Sequence, residues 1–189
     1  MTLIEHLLIN GLLQFGQFQR DGGTQPMLSK LDMLASYPDA LRTLTDAAIA
    51  RIGSSGRYDR MLCTTDALPF GVALALATNT PLVYSRGRGE VPADDLVGAC
   101  DIGHPTLLIA NTSGKETLQL AERSARVGLD VRAMLVLLEI APIRLPNVEC
   151  HALLQLESLI DDPVAASFIP VGQRAVVKVW LKQQNAPIG

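Results

Sequence analysis

Three polar segments of this 189-residue chain contain the hydroxyl, amide and charged side chains that could bind a ligand or catalyse a reaction, and each segment follows a predicted strand. These segments are residues 63–67, 85–105 and 110–117. In a sheet of parallel strands, ligands bind beyond the carboxyl ends of the strands. We therefore treat the three segments as candidate parts of one site.

The segment 110–117 reads Ala-Asn-Thr-Ser-Gly-Lys-Glu-Thr and joins a predicted buried strand to a predicted helix. Backbone N–H groups at a helix start can hold an anion, and Lys115 would add a positive charge. The hydroxyls of Thr112, Ser113 and Thr117 would add donors. The segment predicts a phosphate site, with capping of the helix by Thr112 or Ser113 as the competing interpretation.

The segment 63–67 reads Cys-Thr-Thr-Asp-Ala, and its hydroxyls and Asp66 could bind a sugar or a metal, or cap the helix that follows. The segment 85–105 is a long connection, and such connections are commonly functional or mobile. Its charged and titratable residues include Arg86, Arg88, Glu90, Asp94, Asp95, Asp101 and His104. A solvated surface is the simpler interpretation of this mixture, and His104 before Pro105 is typical of a turn.

Common nucleotide-binding and hydrolase motifs are absent from the sequence. The Ser-Gly-Lys string is not a P-loop, because Ile109 replaces its first glycine and Glu116 replaces the Ser or Thr after the lysine. No Gly-x-Gly-x-x-Gly follows a strand, so a dinucleotide site is not supported. No G-x-S-x-G elbow occurs either, and the sequence predicts no catalytic triad.

Alternating apolar runs and helical periodicity in the middle of the chain predict a parallel, doubly wound α/β sheet that positions these segments. The predicted strands are residues 61–63, 81–84, 106–110 and 131–138. Four helices are predicted. The first, residues 3–13, begins with a Thr2–Glu5 capping box, and the second has Pro38 in its first turn and Gly53 at its end. The others are residues 68–78 and residues 115–127, the latter with Leu118, Ala121 and Ala125 facing inward.

Both ends of the chain are less regular in sequence. Residues 14–35 are expected to be irregular, with an Asp-Gly-Gly turn between short extended pieces. Residues 153–160 predict a helix, and residues 175–181 predict either a strand or a closing helix.

The amino-acid composition and charge of the chain argue against several classes of protein. Hydrophobic residues make up 48% and charged residues 19% of the chain, with a net charge of −3 and no basic stripe, which argues against a nucleic-acid partner. No run of 18 apolar residues occurs, so we expect no membrane span. The apolar N-terminus carries Glu5 and lacks a basic region, so we expect no signal peptide. The three cysteines are widely spaced, which indicates reduced thiols in a cytoplasmic protein.

Several stretches, in order along the chain, resemble motifs of the type I phosphoribosyltransferases, and among them the orotate phosphoribosyltransferases. Residues 13–26 look like that family's F-G-x-F, S-G and S-P stretch. Residues 59–71 resemble its D-x-x-x and G-I-P-L-A segment, and residues 81–86 its P-x-x-x-V-R-K. Residues 107–117 fall where its diphosphoribose-binding strand and loop would lie. The resemblance covers residues 3–140.

The resemblance implies a type I phosphoribosyltransferase-like α/β fold, with a central parallel sheet flanked by helices in a single domain of residues 1–189. The α/β core would be residues 36–140, and a small hood with peripheral elements would be residues 1–35 and 141–189. The family joins a nucleobase to phosphoribosyl diphosphate and releases pyrophosphate, with Mg²⁺ on the diphosphate. Its orotate members are dimers whose mobile loop reaches the neighbour's site.

The resemblance also implies roles for individual residues. The phosphate-binding residues would be Thr112, Ser113, Gly114, Lys115 and Thr117. The diphosphate loop would be Thr64, Thr65, Asp66 and Ala67, the mobile loop would contribute Arg86 and Arg88, and Asn111 would face the ribose. We assign no catalytic residue and no metal ligand.

The sequence departs from the family pattern at several residues that would hold the substrate, and our hypothesis about function is based on these departures. The paired acidic residues at the strand end are replaced by Ala110 and Asn111, and the glycine-rich diphosphate loop contains Asp66. The mobile loop lacks the family's Lys and His, and the phosphate loop is shortened. At the base-binding end, Lys30-Leu31-Asp32 replaces D-x-R, which is a charge swap.

The sequence thus predicts an orotate phosphoribosyltransferase-like protein with a degenerate diphosphoribose site, non-catalytic or repurposed to bind a phosphorylated small molecule or nucleotide. One alternative is an active divergent phosphoribosyltransferase, which would need Mg²⁺; no other cofactor is implied. The other alternative is an unrelated small α/β hydrolase that uses Asp66 and His104. The apolar N-terminal helix and the Leu/Ala-rich faces favour a homodimer.

Overall fold

A computed structural model describes residues 1–20, 23–53, 57–87, 95–99, 102–142 and 144–184. The strands are β1 (Leu13–Arg20), β2 (Gly23–Ser29), β3 (Arg60–Cys63), β4 (Leu82–Ser85), β5 (Leu96–Val97), β6 (Pro105–Thr112), β7 (Asp130–Glu139) and β8 (Glu149–Gln155). Six of them form one sheet in the order β5-β4-β3-β6-β7-β8. Neighbouring strands are parallel except β4 with β5. The predicted strands and the α/β fold are confirmed.

Helices cover both faces of this sheet. They are α1 (Leu3–Ile9), α2 (Pro38–Ile52), α3 (Leu68–Thr78), α4 (Lys115–Arg126), α5 (Leu156–Leu159), α6 (Pro163–Phe168) and α7 (Val171–Gln184), with a 3-10 helix at Leu31–Ser36. Along β6, Leu107 and Ile109 pack into the larger core with α1, α2 and α3. Leu108 and Ala110 alternate to the other face and pack with Leu120 of α4. This alternation places helices on both sides of a buried strand.

In the N-terminal region the expected extended pieces are confirmed as β1 and β2, and residues 21–22 of the expected turn lie outside the described residues. The expectation of otherwise irregular structure over residues 14–35 is wrong, because the two strands pair and a 3-10 helix follows them. β1 and β2 form an antiparallel hairpin whose register shifts between Phe15 and Phe18. The hairpin packs against α7, where the Gln173 side-chain amide donates to the carbonyls of Gly16 at 2.9 Å and Pro26 at 3.1 Å. The hairpin and α7 together form a hood beside the sheet.

Other predicted boundaries are corrected. The Thr2–Glu5 capping box is confirmed, but α1 ends at Ile9 rather than at residue 13. The helix predicted at 153–160 is confirmed for Leu156–Leu159 and wrong for residues 153–155, which belong to β8, parallel to β7. Residues 175–181 lie within α7, so the closing helix is the correct alternative. The connection 85–105 contains β5, a short antiparallel edge strand.

The inward face predicted for α4 is confirmed in part, since Ala121 packs against the core cluster that contains Leu120. The buried residues of α4 are Thr117, Leu120 and Ser124, whereas Ala125 is exposed. Two of the buried side chains are polar, and both hydroxyls are satisfied locally: Thr117 donates to the Thr112 carbonyl at 3.1 Å and Ser124 to the Ala121 carbonyl at 2.8 Å. The periodicity of apolar residues alone therefore identifies only part of the buried face of α4.

The contact between α3 and β3 depends on a glycine. A Cβ atom at Gly71 would lie 2.9 Å from the Cys63 sulfur and 3.1 Å from its Cβ. Cys63 is fully buried, so it has no free space into which it can move. Gly71 thus sets how closely the helix approaches the strand that leads into segment 63–67.

We predict that Gly71→Ala lowers the free energy of unfolding by about 1–3 kcal/mol, because overpacking forces α3 away from the sheet. Gly172→Ala in α7 is the matched control, since a Cβ there would meet nothing within 4 Å. That substitution should leave stability unchanged or raise it by up to about 1 kcal/mol. Urea denaturation measures both, and equal midpoints for the two variants would contradict the packing argument.

Candidate functional site

The structure brings the three sequence segments together at the carboxyl edge of the sheet. β3 lies between β4 and β6, so the residues after all three strands are neighbours. The Asn111 side-chain amide donates to the Asp66 carbonyl at 2.7 Å, and the Thr65 hydroxyl donates to the Ser85 carbonyl at 2.8 Å. These two hydrogen bonds join the loop after β3 to the ends of both neighbouring strands.

The loop after β3 is held by its own side chains. The Thr64 hydroxyl donates to the Asp66 carboxylate at 2.5 Å, and Ala67 is the residue before α3. No side chain caps α3, so the capping interpretation of this segment is wrong. Burial raises the pKa of the Cys63 thiol to about 12, with a smaller contribution from Asp66, which argues against a nucleophilic role for this cysteine.

The loop after β6 leads into α4 without a side-chain cap. Gly114 precedes α4, and neither Thr112 nor Ser113 caps it. Instead, the Ser113 hydroxyl oxygen accepts the backbone N–H groups of Ile140 at 3.1 Å and Ala141 at 3.4 Å. The capping interpretation is therefore wrong here too. The side chains of Lys115 and Glu116 are exposed in the first turn.

Asn111 is the most constrained polar residue of the site. Its side chain is 2% exposed, and the donation to Asp66 fixes which end of the amide is the donor. The remaining oxygen, Oδ1, is buried and has no hydrogen-bond partner within the described part of the chain. A buried acceptor left without a donor costs about 1–3 kcal/mol.

Asn111 lines a cavity of about 520 Å³ between the sheet edge, the hairpin and α7, which we call the hood cavity. Its polar lining residues are Gln25, Ser29, Lys30, Asp32, Asp66, Asn111 and Thr112, and its apolar ones are Met27, Leu28, Leu31, Met33, Ile140 and Trp180. The sequence singled out Lys30 and Asp32 through the charge swap. It gave no signal for Trp180, because α7 is distant along the chain and its periodicity is weak.

Asp95, in the connection after β4, belongs to a buried ionic cluster. The Asp95 side chain is 1% exposed, accepts from the Ser85 hydroxyl at 2.6 Å and pairs with Arg123 of α4 at 3.3 Å. The Asp95 carbonyl also accepts the Arg86 backbone N–H at 2.9 Å. The interpretation of Asp95 as part of a solvated surface is therefore wrong. The Arg86 side chain is exposed, and Arg88 lies outside the described residues.

His104 does not belong to this site. It precedes β6, and its Nδ1 lies 3.1 Å from the Asp59 carboxylate, whereas Asp66 follows the carboxyl end of β3. Because β3 and β6 are parallel, the two residues lie at opposite edges of the sheet. The hydrolase hypothesis built on Asp66 and His104 therefore has no geometric support.

The hood, the parallel sheet and the loops at its carboxyl edge define the fold of the type I phosphoribosyltransferases. Among solved structures, the UMP synthase of Leishmania donovani aligns with a TM-score of 0.80 and 22% identity over 96% of this chain, which spans 42% of that protein. The orotate phosphoribosyltransferase of Francisella tularensis aligns with a TM-score of 0.66 and 17% identity, covering 95% of this chain and 97% of that one.

An adenine phosphoribosyltransferase of Thermoanaerobacter pseudethanolicus has the same fold, with a TM-score of 0.58 and 14% identity over 82% of this chain and 100% of that one. No protein-family model matches the sequence, and no curated protein matches it. The resemblance to type I phosphoribosyltransferases is thus confirmed for the fold. Among the described helices, none has the length and apolar character needed to cross a membrane.

We predict that Asp95→Asn lowers the free energy of unfolding by about 3 kcal/mol, because it removes one partner of a buried ion pair. Asp39→Asn is the matched control: Asp39 pairs with Arg42, but both side chains are more than two-thirds exposed. Such a pair contributes at most about 1 kcal/mol. Chemical denaturation compares the variants, and a similar small loss in both would show that the Asp95 cluster is not stabilising.

Proposed function

We propose that this protein is an orotate phosphoribosyltransferase-like binding protein that holds a phosphorylated small molecule without transferring phosphoribosyl groups. The observation that carries the proposal is the end of β6. Ala110 packs into the core beneath α4, and Asn111 donates its amide to the backbone of the neighbouring loop. The family pattern has two carboxylates at these positions, and here neither residue is charged.

The charge at the loop after β3 supports the same conclusion. Asp66 carries an exposed carboxylate in the segment that corresponds to the diphosphate loop of Thr64, Thr65, Asp66 and Ala67. A diphosphate beside a carboxylate meets like-charge repulsion. Phosphoribosyl transfer instead needs cationic groups on the leaving oxygens. The Arg86 side chain is the charged group retained from the mobile loop.

The described residues at the end of β6 fit poorly with Mg²⁺, the metal that the fold family implies. Mg²⁺ is bound in octahedral geometry by one or two carboxylates together with waters and substrate phosphates. Within the described residues, no group of three His, Cys, Asp or Glu side chains is placed to hold a metal. The end of β6 offers an amide in place of a carboxylate, and the proposed function has no step that depends on Mg²⁺.

Binding of one phosphate group is supported by the start of α4. The first N–H groups of that helix have no intrahelical acceptor, and Lys115 lies beside them. The proposed phosphate-binding residues are Thr112, Ser113, Gly114, Lys115 and Thr117. The Thr117 hydroxyl donates a hydrogen bond to the Thr112 carbonyl, so the role of Thr117 would be to hold the conformation of the loop. Asn111 would face the ligand's ribose.

A transfer assay tests this function. The protein is incubated with phosphoribosyl diphosphate, Mg²⁺ and orotate, uracil or adenine, and nucleotide and pyrophosphate are quantified by chromatography. We expect no product, and turnover would establish the alternative of an active divergent phosphoribosyltransferase. In parallel, a ribose 5-phosphate titration should raise the melting temperature, because a ligand at 100 times its Kd adds about 2.7 kcal/mol of stability.

Lys115→Ala provides the matched variant for the phosphate site. It should weaken ribose 5-phosphate binding about fivefold to tenfold, since it removes one cation beside the phosphate. Lys182→Ala, which removes an exposed lysine from α7, should leave binding unchanged. Equal affinities for the two variants would contradict the assignment of the phosphate to the start of α4.

We further propose a cytoplasmic homodimer. Cys63 and Cys150 are free thiols, which fits a reducing compartment. The outer faces of α1 and α3 carry exposed apolar side chains, with Ile9 56% and Leu76 79% exposed. We expect twice the 20.3-kDa chain mass by light scattering, and Leu76→Glu should shift the mass towards the monomer. A monomeric wild-type protein would contradict the dimer.

A further inference from the structure

The two edges of the six-stranded sheet differ in how they are protected. β5, at one edge, is two residues long, whereas β8, at the other edge, has seven residues in a constant register with β7. An exposed edge presents unpaired N–H and C=O groups that can pair with another strand. Natural proteins blunt long edges with proline, lysine or a β-bulge, and β8 contains none of these. The edge of β8 is therefore open to pairing.

The backbone of β8 has a pairing partner on one side only. Within the described part of the chain, residues 150–154 make backbone hydrogen bonds only in the ladder with β7. These five residues, Cys-His-Ala-Leu-Leu, are all half-buried, whereas residues 133–138 of β7 are buried. β8 thus leaves a largely apolar edge partly in solvent, and pairing with a further strand would bury it.

A groove of about 360 Å³ lies beside residues 152–155 of β8, and α1 and α2 form its other wall, with Ile4 and Arg51 among the lining residues. Arg51 is exposed in the last turn of α2 and has no ion-pair partner among the described residues. Asp162 also lines the groove, but its carboxylate caps α6 by accepting the Val164 N–H at 2.8 Å. A carboxylate carried by an added strand would therefore find a cation in this groove.

The sequence of β8 pairs favourably with a second copy of itself in one antiparallel register. A two-fold axis through Ala152 sets two small side chains at the centre of the contact. Cys150 of each copy then lies opposite Leu154 of the other, so apolar side chains meet on one face. Parallel pairing of the two strands would instead set the two Glu149 carboxylates side by side, which is destabilising. The antiparallel contact is closed, because both copies use the same surface.

The polar ends of the strand are matched in the same register. Glu149 of one copy lies opposite Gln155 of the other, and the Gln155 amide uses one of its two N–H donors on Glu139 at 3.0 Å. Arg51 lines the groove together with Gln155, so the incoming carboxylate would meet a cation and an amide donor. The Glu149 side chain pairs with Arg57 in its own chain and is still 46% exposed. The charges at the edge thus complement a second copy of the chain.

We propose that two copies of the chain pair antiparallel through the outer edges of β8, with Ala152 at the two-fold axis and Arg51 of each copy facing Glu149 of the other. The two six-stranded sheets then form one continuous sheet. α3 packs on β3 and β4, away from β8, so this contact is separate from the one proposed for the outer faces of α1 and α3. Seven residues per strand make a small interface, so the pairing adds to the homodimer only at high protein concentration.

Sedimentation equilibrium of Leu76→Glu measures the β8 contact without the other one. From about 10 μM to about 1 mM, where small interfaces associate, its mass should rise from one chain towards two and level off there. Adding Arg51→Glu should weaken this association at least about tenfold, because it sets two carboxylates against each other. Lys182→Glu is the matched control: it makes the same charge change on an exposed side chain of α7 and should leave the association unchanged.

Disulfide trapping tests the register. In Leu154→Cys the new thiol lies opposite Cys150 of the second copy, and antiparallel partners have Cα atoms about 4.5–5.5 Å apart, which suits a disulfide. Oxidation with diamide should give a covalent dimer on non-reducing electrophoresis. Leu153→Cys is the matched control, because residue 153 points to the opposite face from Cys150 and should give no such dimer. Within one chain, residues 150 and 154 are about 13 Å apart, too far for a disulfide.

Several results would overturn this inference. A Leu76→Glu protein that stays monomeric at every concentration would do so, and would leave the edge to a strand of a different protein. Growth beyond two chains, or equal association with Arg51→Glu and Lys182→Glu, would contradict the closed, charge-matched contact, and equal trapping of the two cysteine variants would contradict the register. A two-chain Leu76→Glu protein that Arg51→Glu makes monomeric would instead support the β8 contact and overturn the α1 and α3 contact. Circular dichroism verifies the fold of each variant.

Discussion

The parallel pairing of β6 between β3 and β7 fixes where the loops of the candidate site lie. Residues 106–111 of β6 are buried, and its neighbours pair with it on both sides. Because Cys63 is in register with Ile109, the two chains leave the sheet at the same level. Asn111 can reach the Asp66 carbonyl only for this reason. The candidate site thus depends on strand register, because the buried strands β3 and β6 determine where its loops begin.

The hood depends on a second long-range contact, which is polar. Gln173 donates to two carbonyls of the hairpin, and these lie 157 and 147 residues away along the chain. Backbone carbonyls that lack a ladder partner need such a donor when they are partly buried. The same contact aligns α7 so that Trp180 reaches the hood cavity. The cavity therefore lies between the sheet edge, the N-terminal hairpin and the C-terminal helix α7. Its shape depends on how the hairpin and α7 pack together.

Sequence reasoning succeeded where local pattern and tertiary environment agree. The strands β3, β4, β6 and β7 follow continuous apolar runs typical of a buried parallel sheet, and the small-residue apolar run at Leu68–Thr78 predicts the helix between β3 and β4. In the hairpin the sequence predicts the extended pieces but neither their length nor their pairing, because the register shift between Phe15 and Phe18 breaks the two-residue alternation. The end of β8 at residues 153–155 falls within the predicted helix, because the half-buried side chains of this strand show no two-residue alternation that would distinguish it. Asp95 was misjudged because its burial depends on Arg123, 28 residues away, which no local pattern reveals.

The neutral residue at the end of β6 and the conformation of the loop after β3 are coupled. An ionised carboxylate at position 111 would have no proton to donate to the Asp66 carbonyl, so the contact that joins the two loops would become a repulsion between oxygens. It would also place a second negative charge close to the Asp66 carboxylate, in a side-chain position that is 2% exposed. The amide avoids both costs, although its oxygen is left buried without a hydrogen-bond partner among the described residues. Asn111 is therefore integral to the local fold of this site, and a return to the acidic pattern of the family would require a different loop after β3 as well as a different side chain.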